Sequence, residues 1–440
     1  MSSSTRPGWG SKLGFVLAAA GSAIGLGAIW KFPYVAAQNG GGAFLLLFLL
    51  FSFTLGLAQM VVEFALGRQA QRGPVGMFRQ LAGGAWPLIG LMGIFAGFVL
   101  CSFYSVVGGW TLGYLALAVD GRILTTDGGA LTRIFQDYVG HPWWPLLSLA
   151  GFVLATLLIV MGGVEKGIER AGKLLMPALF LIMLLLIARS LTLPGAWAGV
   201  LAFLAPDFSK VSAAMVVDAL GLAFFSLSLG TGGMIAYGSY VKRETPVLHS
   251  ALWVVLLSTC VALLAGLMIF PALFAFHLDP AAGPGLTFMT MPVVFASLPF
   301  GQAFAVAFFA LLAVAALTSS VSILELIATL FMDEFGWRRK PVILCLSLAV
   351  LVCGVPASLS FGPWAEARLF GKTVFELMDY SVSNLMMPLG GIGVALFAGW
   401  RVWPLIGSHC GLQGAALAAL KWSCRLLAPG GITVILLKNL

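Results

Sequence analysis

The chain has 440 residues, of which 60% are hydrophobic and only 9% charged, with a formal net charge of +8 and a mean hydropathy of +1.03. Soluble domains carry about 25% charged residues, so a water-solvated globule is excluded and most of the surface must face lipid. The excess of Lys and Arg lies in loops between apolar runs without an aromatic platform, and no nucleic-acid partner is expected.

A bilayer crossing needs about 20 apolar residues. Eleven such segments follow in chain order, at roughly 12–36, 43–66, 87–119, 143–161, 174–191, 212–237, 247–276, 301–331, 341–358, 374–399 and 414–437. The first runs well past the short core of a cleavable signal and reads as a span. Several exceed what a bilayer requires, which predicts tilts or breaks. Basic residues mark alternate loops: Arg68, Arg72 and Arg79; Lys166, Arg170 and Lys173; Lys242 and Arg243; Arg338, Arg339 and Lys340; Arg401. The loop around Asp279 has none. The positive-inside rule then places the N-terminus in the cytoplasm, and an odd span count places the C-terminus outside a plasma (inner) membrane. No linker or soluble segment interrupts residues 1–440, so the chain reads as one domain with no signal of oligomeric state.

Cys101, Cys260, Cys345, Cys353, Cys410 and Cys424 form no C-x-x-C pair, and the four histidines have no H-x-x-x-H spacing. No paired Asp, Ser–Lys or His–Glu constellation falls within a span, so enzyme chemistry is not expected.

Two spans carry glycine clusters at mid-membrane depth: Gly21-Ser22-Ala23-Ile24-Gly25-Leu26-Gly27 in the first and Ser226-Leu227-Ser228-Leu229-Gly230-Thr231-Gly232-Gly233 in the sixth. Glycine costs about 1 kcal/mol per residue in a helix interior. Such clusters predict unwound backbone, which is tolerated at that depth only where it lines a cavity or is buried in protein. Close helix packing through small residues accounts for one cluster. Two clusters opening the first and sixth of ten helices point to a transporter site between two five-helix repeats, about 9–191 and 212–399, with 414–437 as an extra helix. The fold class is therefore an all-α membrane protein with inverted repeats.

A broken helix presents free N–H groups suited to a carboxylate and free carbonyls suited to a small hard cation. The eighth span adds Thr318-Ser319-Ser320, hydroxyls that either complete an oxygen cage or bond back to their own helix. Tyr104 is a polar-tipped aromatic needing a partner. Glu63 is an ionisable residue well inside a span; it must face the bundle interior. Tying the freed N–H groups of a break is the role expected of it, with proton carriage as the rival.

At these residues the chain resembles the neurotransmitter:sodium symporter family, in its bacterial amino-acid branch of eleven helices. The resemblance is carried by Gly14, Ala18, Gly21, Gly25, Leu26, Gly27, Phe32-Pro33-Tyr34 and Asn39-Gly40-Gly41-Gly42. It continues through Glu63-Phe64-Ala65-Leu66-Gly67-Arg68, Trp110-Thr111-Leu112-Gly113, Ser226-Leu227-Ser228-Leu229-Gly230, Tyr237-Gly238-Ser239-Tyr240 and Leu317-Thr318-Ser319-Ser320. It implies sodium-coupled import of an amino acid by alternating access. The substrate's carboxylate and amine would sit among Ser22, Ala23, Leu26, Gly27, Tyr104, Phe225, Ser226, Ser228 and Ser319, and its side chain against Leu100, Thr231 and Ile323. One sodium, at the site called Na2, would be held by carbonyls of Gly21, Ile24 and Ala315 and hydroxyls of Thr318 and Ser319. The outer gate resembles Lys31 with Asp379 over Tyr104 and Phe225; the inner gate resembles Arg6 with Asp333, supported by Trp9 and Tyr240. Gly167 and Pro177 match a motif associated with unwinding of the fifth helix.

The chain departs from the family at the other sodium site, Na1. Ala28 and Ser258 replace two asparagines, leaving Ala23, Ser226 and Ser258 as protein ligands, so the resemblance implies one sodium rather than two. Ala262 stands at the chloride-linked position, and no chloride site is implied. Thr231 stands where an aromatic or Met usually lines the pocket. A proton-coupled or sodium-independent amino-acid transporter, and a transporter-like receptor that binds without moving its ligand, are the alternatives.

Overall fold

The computed structural model describes residues 8–278 and 286–439, and every regular element among them is helical. The elements are α1 (Lys12–Ala23), α2 (Gly27–Gln38), α3 (Gly42–Ala70), α4 (Pro74–Leu81), α5 (Pro87–Val119), α6 (Gly128–Gly140), α7 (Trp144–Met161), α8 (Val164–Leu191) and α9 (Ala196–Leu204). There follow α10 (Ala213–Ser226), α11 (Gly233–Gly238), α12 (Val247–Ala275), α13 (Thr287–Ala296), α14 (Gly301–Glu334), α15 (Arg339–Leu359), α16 (Val374–Arg401) and α17 (Gly414–Lys438).

Among the described residues, nine helices are long and apolar enough to cross a bilayer alone, and α1 with α2 forms a tenth crossing bent by 54°. The segment expected as the sixth span is divided into α10 and α11, each too short to cross by itself. The chain is a multi-pass membrane protein. Leu154 and Leu158 of α7, Leu174 and Leu181 of α8 and Leu344 and Leu348 of α15 are exposed on the outside of the bundle, the side chains a lipid-facing wall requires.

The bundle is built around α5 and α14, which pack along each other over most of their lengths. α1 lies against α8, α12 and α14, so the first break is surrounded by protein. The sixth-span break needs its glycines: Gly230 and Gly232 have φ of +88° and +85°, a region L side chains rarely adopt. Beyond it, the short α11 is docked on α3 at backbone contact. A Cβ on Gly67 would stand 2.0 Å from the Ile235 carbonyl oxygen, and one on Gly238 would stand 2.8 Å from that of Phe64.

Candidate substrate and cation site

The two breaks meet in the middle of the bundle. α1 ends at Ala23; Ile24 turns out of the helix at φ −87° and ψ 74°, so its carbonyl leaves the helical direction. The Ser228 hydroxyl donates to the Ser22 carbonyl (2.9 Å), and the Leu26 N–H donates to the Tyr104 hydroxyl (3.2 Å). At Gly25 any side chain would collide with this arrangement, because a Cβ there would lie 2.6 Å from Ser319 Oγ and 2.9 Å from Tyr104 Oη.

These residues line a small cavity at the centre of the bundle. Of the residues the sequence assigns to substrate, Ser22, Ala23, Gly27, Leu100, Tyr104, Phe225, Ser226, Ser228, Thr231, Ser319 and Ile323 line it. Leu26 sits in the wall behind Tyr104. Sequence reasoning missed Gly25, Gly233, Ser322, Leu326 and Met387. Ser322 and Leu326 follow Ser319 by three and seven residues, the spacing of one helical face, so periodicity could have found them. Among the described residues, none that lines it carries a charge. A ligand's charges must therefore be met by the start of α2, whose free N–H groups favour an anion, and by the carbonyls released at the end of α1.

Beside the cavity, four of the five residues expected at Na2, namely Gly21, Ala315, Thr318 and Ser319, are neighbours. Ser319 Oγ lies 3.2 Å from both the Gly21 and the Ser22 carbonyl oxygens, and Thr318 Oγ1 lies 3.0 Å from that of Ala315. A Cβ on Gly21 would stand 3.2 Å from Thr318 Cβ, which brings the two pairs together. Oxygens spaced near 3 Å suit a hard cation held at about 2.4 Å from each, so the residues fit sodium. The residues named for Na1 are also neighbours, with Ser258 Oγ donating to the Ser226 carbonyl (3.3 Å). Ala28 and Ala262 are fully buried and bring no side-chain oxygen.

Glu63, fully buried, accepts the N–H of Gly230 at 3.1 Å and the amide of Gln59 at 3.4 Å. It thus holds the left-handed turn of the sixth-span break. Just before α8, Gly163 at φ +83° leads into a wide turn over Val164–Glu169 that contains Gly167, while Pro177 lies inside the following regular helix. Glu169 of that turn was not singled out by the sequence. It accepts from the Gly10 N–H and the Ser11 hydroxyl, each at 2.7 Å, and pairs with Lys173 at 2.7 Å.

The gate residues are placed unequally. Among the described residues Lys31 and Asp379 form no ion pair. Lys31 Nζ stands 4.7 Å from the centre of the Phe225 ring, and Asp379 accepts from the Ser383 hydroxyl (2.8 Å). A vestibule on this side is lined among others by Lys31, Tyr34, Asp218 and Phe225. Phe225 therefore borders both the vestibule and the central cavity. Arg6 lies outside the described residues. Its expected partner Asp333 accepts the Gly73 N–H at 2.7 Å. Trp9 donates through its indole to the Tyr237 carbonyl (3.1 Å) and through its backbone to the Tyr240 carbonyl (3.3 Å). The Tyr240 hydroxyl reaches Glu325 (2.7 Å), which is paired with Arg339 (2.5 Å). Glu325 and Arg339 were missed because they lie fourteen residues apart on two helices, with no motif to join them.

A bundle with two interrupted helices meeting at an uncharged central cavity, with Phe225 standing between that cavity and a vestibule, defines a secondary transporter. The chain belongs to the sodium:neurotransmitter symporter family, whose model matches residues 6–126 and 130–392. It is 43% identical over 390 residues to an uncharacterized sodium-dependent transporter of Bacillus subtilis, YhdH, covering 88% of this chain and 86% of that protein. It is 37% identical over 410 residues to a sodium-dependent transporter of Haemophilus influenzae, covering 90% of this chain and 89% of that protein. The crystal structure of MhsT in complex with L-phenylalanine superposes with a TM-score of 0.91 at 41% identity, covering 99% of this chain and 100% of that one.

Proposed function

We propose that the protein imports an amino acid together with one sodium ion, held at Na2 by Gly21, Ile24, Ala315, Thr318 and Ser319. The observation that carries this reading is the position of Ser319, whose hydroxyl lies at 3.2 Å from two carbonyls of the first break while the same residue lines the central cavity. A cation at that point and a substrate in the cavity share a wall, so each organises the other's site. Ala28 and Ala262 beside Ser258 leave the second sodium position short of oxygens, and desolvating a cation without replacing its ligands is strongly unfavourable. Ala262 leaves no chloride or acidic partner there. The names of the Bacillus and Haemophilus relatives support sodium coupling, and the phenylalanine complex of MhsT supports an amino-acid substrate. In this reading residues 9–191 and 212–399 are the inverted repeats, α10 with α11 completes eleven spans, the N-terminus is cytoplasmic and the C-terminus external.

Stoichiometry tests it. A tenfold sodium gradient supplies about 1.4 kcal/mol per ion, and 100 mV adds about 2.3 kcal/mol per charge. One sodium then sustains an accumulation of about 500-fold for a net-neutral amino acid; two would sustain its square. Reversal potentials in proteoliposomes are expected to give one sodium per amino acid. A ratio of two would refill Na1, and uptake that follows a proton gradient without sodium would refute the coupling.

A further inference from the structure

Far from the central cavity, α16 and α17 touch at Gly399, where a Cβ would stand 3.1 Å from the backbone nitrogen of Arg425 and 2.9 Å from its Cγ. This approach lets the Arg425 guanidinium reach across to α16. Its Nε donates to the Gly399 carbonyl at 2.7 Å, and the group stands 4.6 Å from the centre of the Trp400 ring and 5.7 Å from that of Trp422. Trp400 donates in turn to the Arg425 carbonyl at 3.4 Å. These residues lie towards the end of the bundle that carries Trp9. Arg68 donates there to the carbonyl of His409, in the loop between α16 and α17, and to that of Thr245, just beyond the Tyr240 that seats Trp9.

The positive charge gathered here is uncompensated. Lys421 precedes Arg425 by one turn on the same face of α17, and like charges at that spacing repel. Arg401, exposed, follows Trp400 directly. No Asp or Glu follows Asp379 in the sequence, and Asp379 sits towards the opposite end of α16. Among the described residues none of these three cations has a carboxylate partner, and the Nη groups of Arg425 have no acceptor. A tryptophan ring attracts a cation but offers no lone pair to those protons. An oxyanion meets both needs: it relieves the repulsion and accepts from the guanidinium fork.

We propose that Arg401, Lys421 and Arg425 form a site for the phosphate of an anionic phospholipid in the leaflet on the N-terminal side. The surroundings choose a lipid over a free ion. Trp400 and Trp422 are 57% and 51% exposed, and Leu426 and Leu427, which continue α17 towards the membrane interior, are 57% and 60% exposed. Exposed tryptophans mark the headgroup level of a bilayer, and clustered Lys and Arg at that level attract anionic headgroups. A zwitterionic lipid brings its own cation to a patch that already has three, so net charge decides which lipid is held. The site stands apart from the substrate and sodium residues and does not rest on their reading.

The test is lipid binding to the full-length protein in a neutral detergent, counted by native mass spectrometry, with phosphatidylglycerol and phosphatidylcholine of the same acyl chains compared. The ratio of the two affinities is the readout, because it does not depend on how much of each variant folds. The unaltered protein is expected to favour phosphatidylglycerol. Arg401→Gln with Lys421→Gln should lower that preference by about thirtyfold, the combined effect of two basic residues near a charged surface. Arg425→Lys keeps the charge, loses the fork and should lower it by about fivefold. Lys242→Gln with Arg243→Gln removes the same charge elsewhere on this side of the protein and should leave the preference in place. Equal affinities in the unaltered protein, or a preference that survives the Arg401 and Lys421 substitutions, overturns the proposal. An equal loss in the Lys242 and Arg243 variant overturns it too, by assigning the effect to the general field of the basic loops. Displacement of phosphatidylglycerol by millimolar inorganic phosphate would make this a site for the free ion and overturn the lipid assignment.

Discussion

The hydroxyl of Ser228 stands 2.9 Å from the carbonyl oxygen of Ser22, so a single hydrogen bond joins the break of the first span to the break of the sixth. Ser228 holds that aim in a left-handed conformation, at φ +53°. A residue other than glycine in this region is strained by about 1–3 kcal/mol, a cost that persists only where the surroundings over-determine it.

Ser228→Ala removes the donor and keeps the strain. Loss of a buried hydrogen bond is worth about 1–2 kcal/mol, so substrate affinity should fall by about five- to thirtyfold in equilibrium binding. Ser228→Gly relieves the strain and still lacks the donor. If the bond matters, glycine binds no better than alanine; full affinity in either variant would show that the breaks are held together by packing alone.

The Na2 cage predicts the outcome of Thr318→Ala with Ser319→Ala. Two of five oxygens disappear from a hard-cation site, and sodium should no longer raise the melting temperature or promote substrate binding. The helix itself tolerates alanine well, so the protein should still elute as a folded species. Sodium-dependent uptake at the unaltered level would remove these residues from the coupling site.

Glu63 gives a prediction about stability. Glu63→Ala orphans the Gly230 N–H inside the bundle and should destabilise the protein by about 1–3 kcal/mol. Glu63→Gln keeps an acceptor at the same place and should lie close to the unaltered protein in thermal unfolding. Equal losses for both would mean that charge, rather than the hydrogen bond, is what the break requires.

On the N-terminal side, Glu325 is fully buried and its partner Arg339 is 21% exposed. Breaking such a pair from one side is costly, about 3–5 kcal/mol where burial is complete. Glu325→Gln should release Tyr240 and loosen the seat of Trp9. Thiol labelling of an Ile323→Cys reporter from the face bearing the N-terminus should then accelerate. An unchanged labelling rate would assign the pair to static support.

The sequence made the centre of this molecule legible and its edges less so. Glycine, serine and threonine cannot cluster at membrane depth without consequence, so both breaks could be read directly, and the residues named around them surround one cavity. Ser322 and Leu326 were within reach of helical periodicity. Glu325 with Arg339, and Glu169 with Gly10 and Ser11, were not: these contacts join residues from separate helices, and their meeting depends on how the helices pack. The outer gate shows another limit. Lys31 and Asp379 are on the vestibule side as expected, yet Lys31 rests on Phe225, because a gate pair is a property of one conformational state and sequence does not choose the state.

The contact between Gly67 and Ile235 bears on how the chain enters the membrane. α11 has six residues, about 9 Å of helix, and α10 has fourteen. Neither half can rest in lipid alone, because the unwound residues between them would face hydrocarbon with unpaired backbone. α3, which receives α11 at Gly67 and Phe64, is synthesised more than 160 residues earlier and is long enough to insert by itself. Biogenesis is thus ordered by this fold: the sixth crossing completes its insertion against a template already in the bilayer. A bulky residue at Gly67 would be felt first as a failure of assembly, before any effect on transport could be measured.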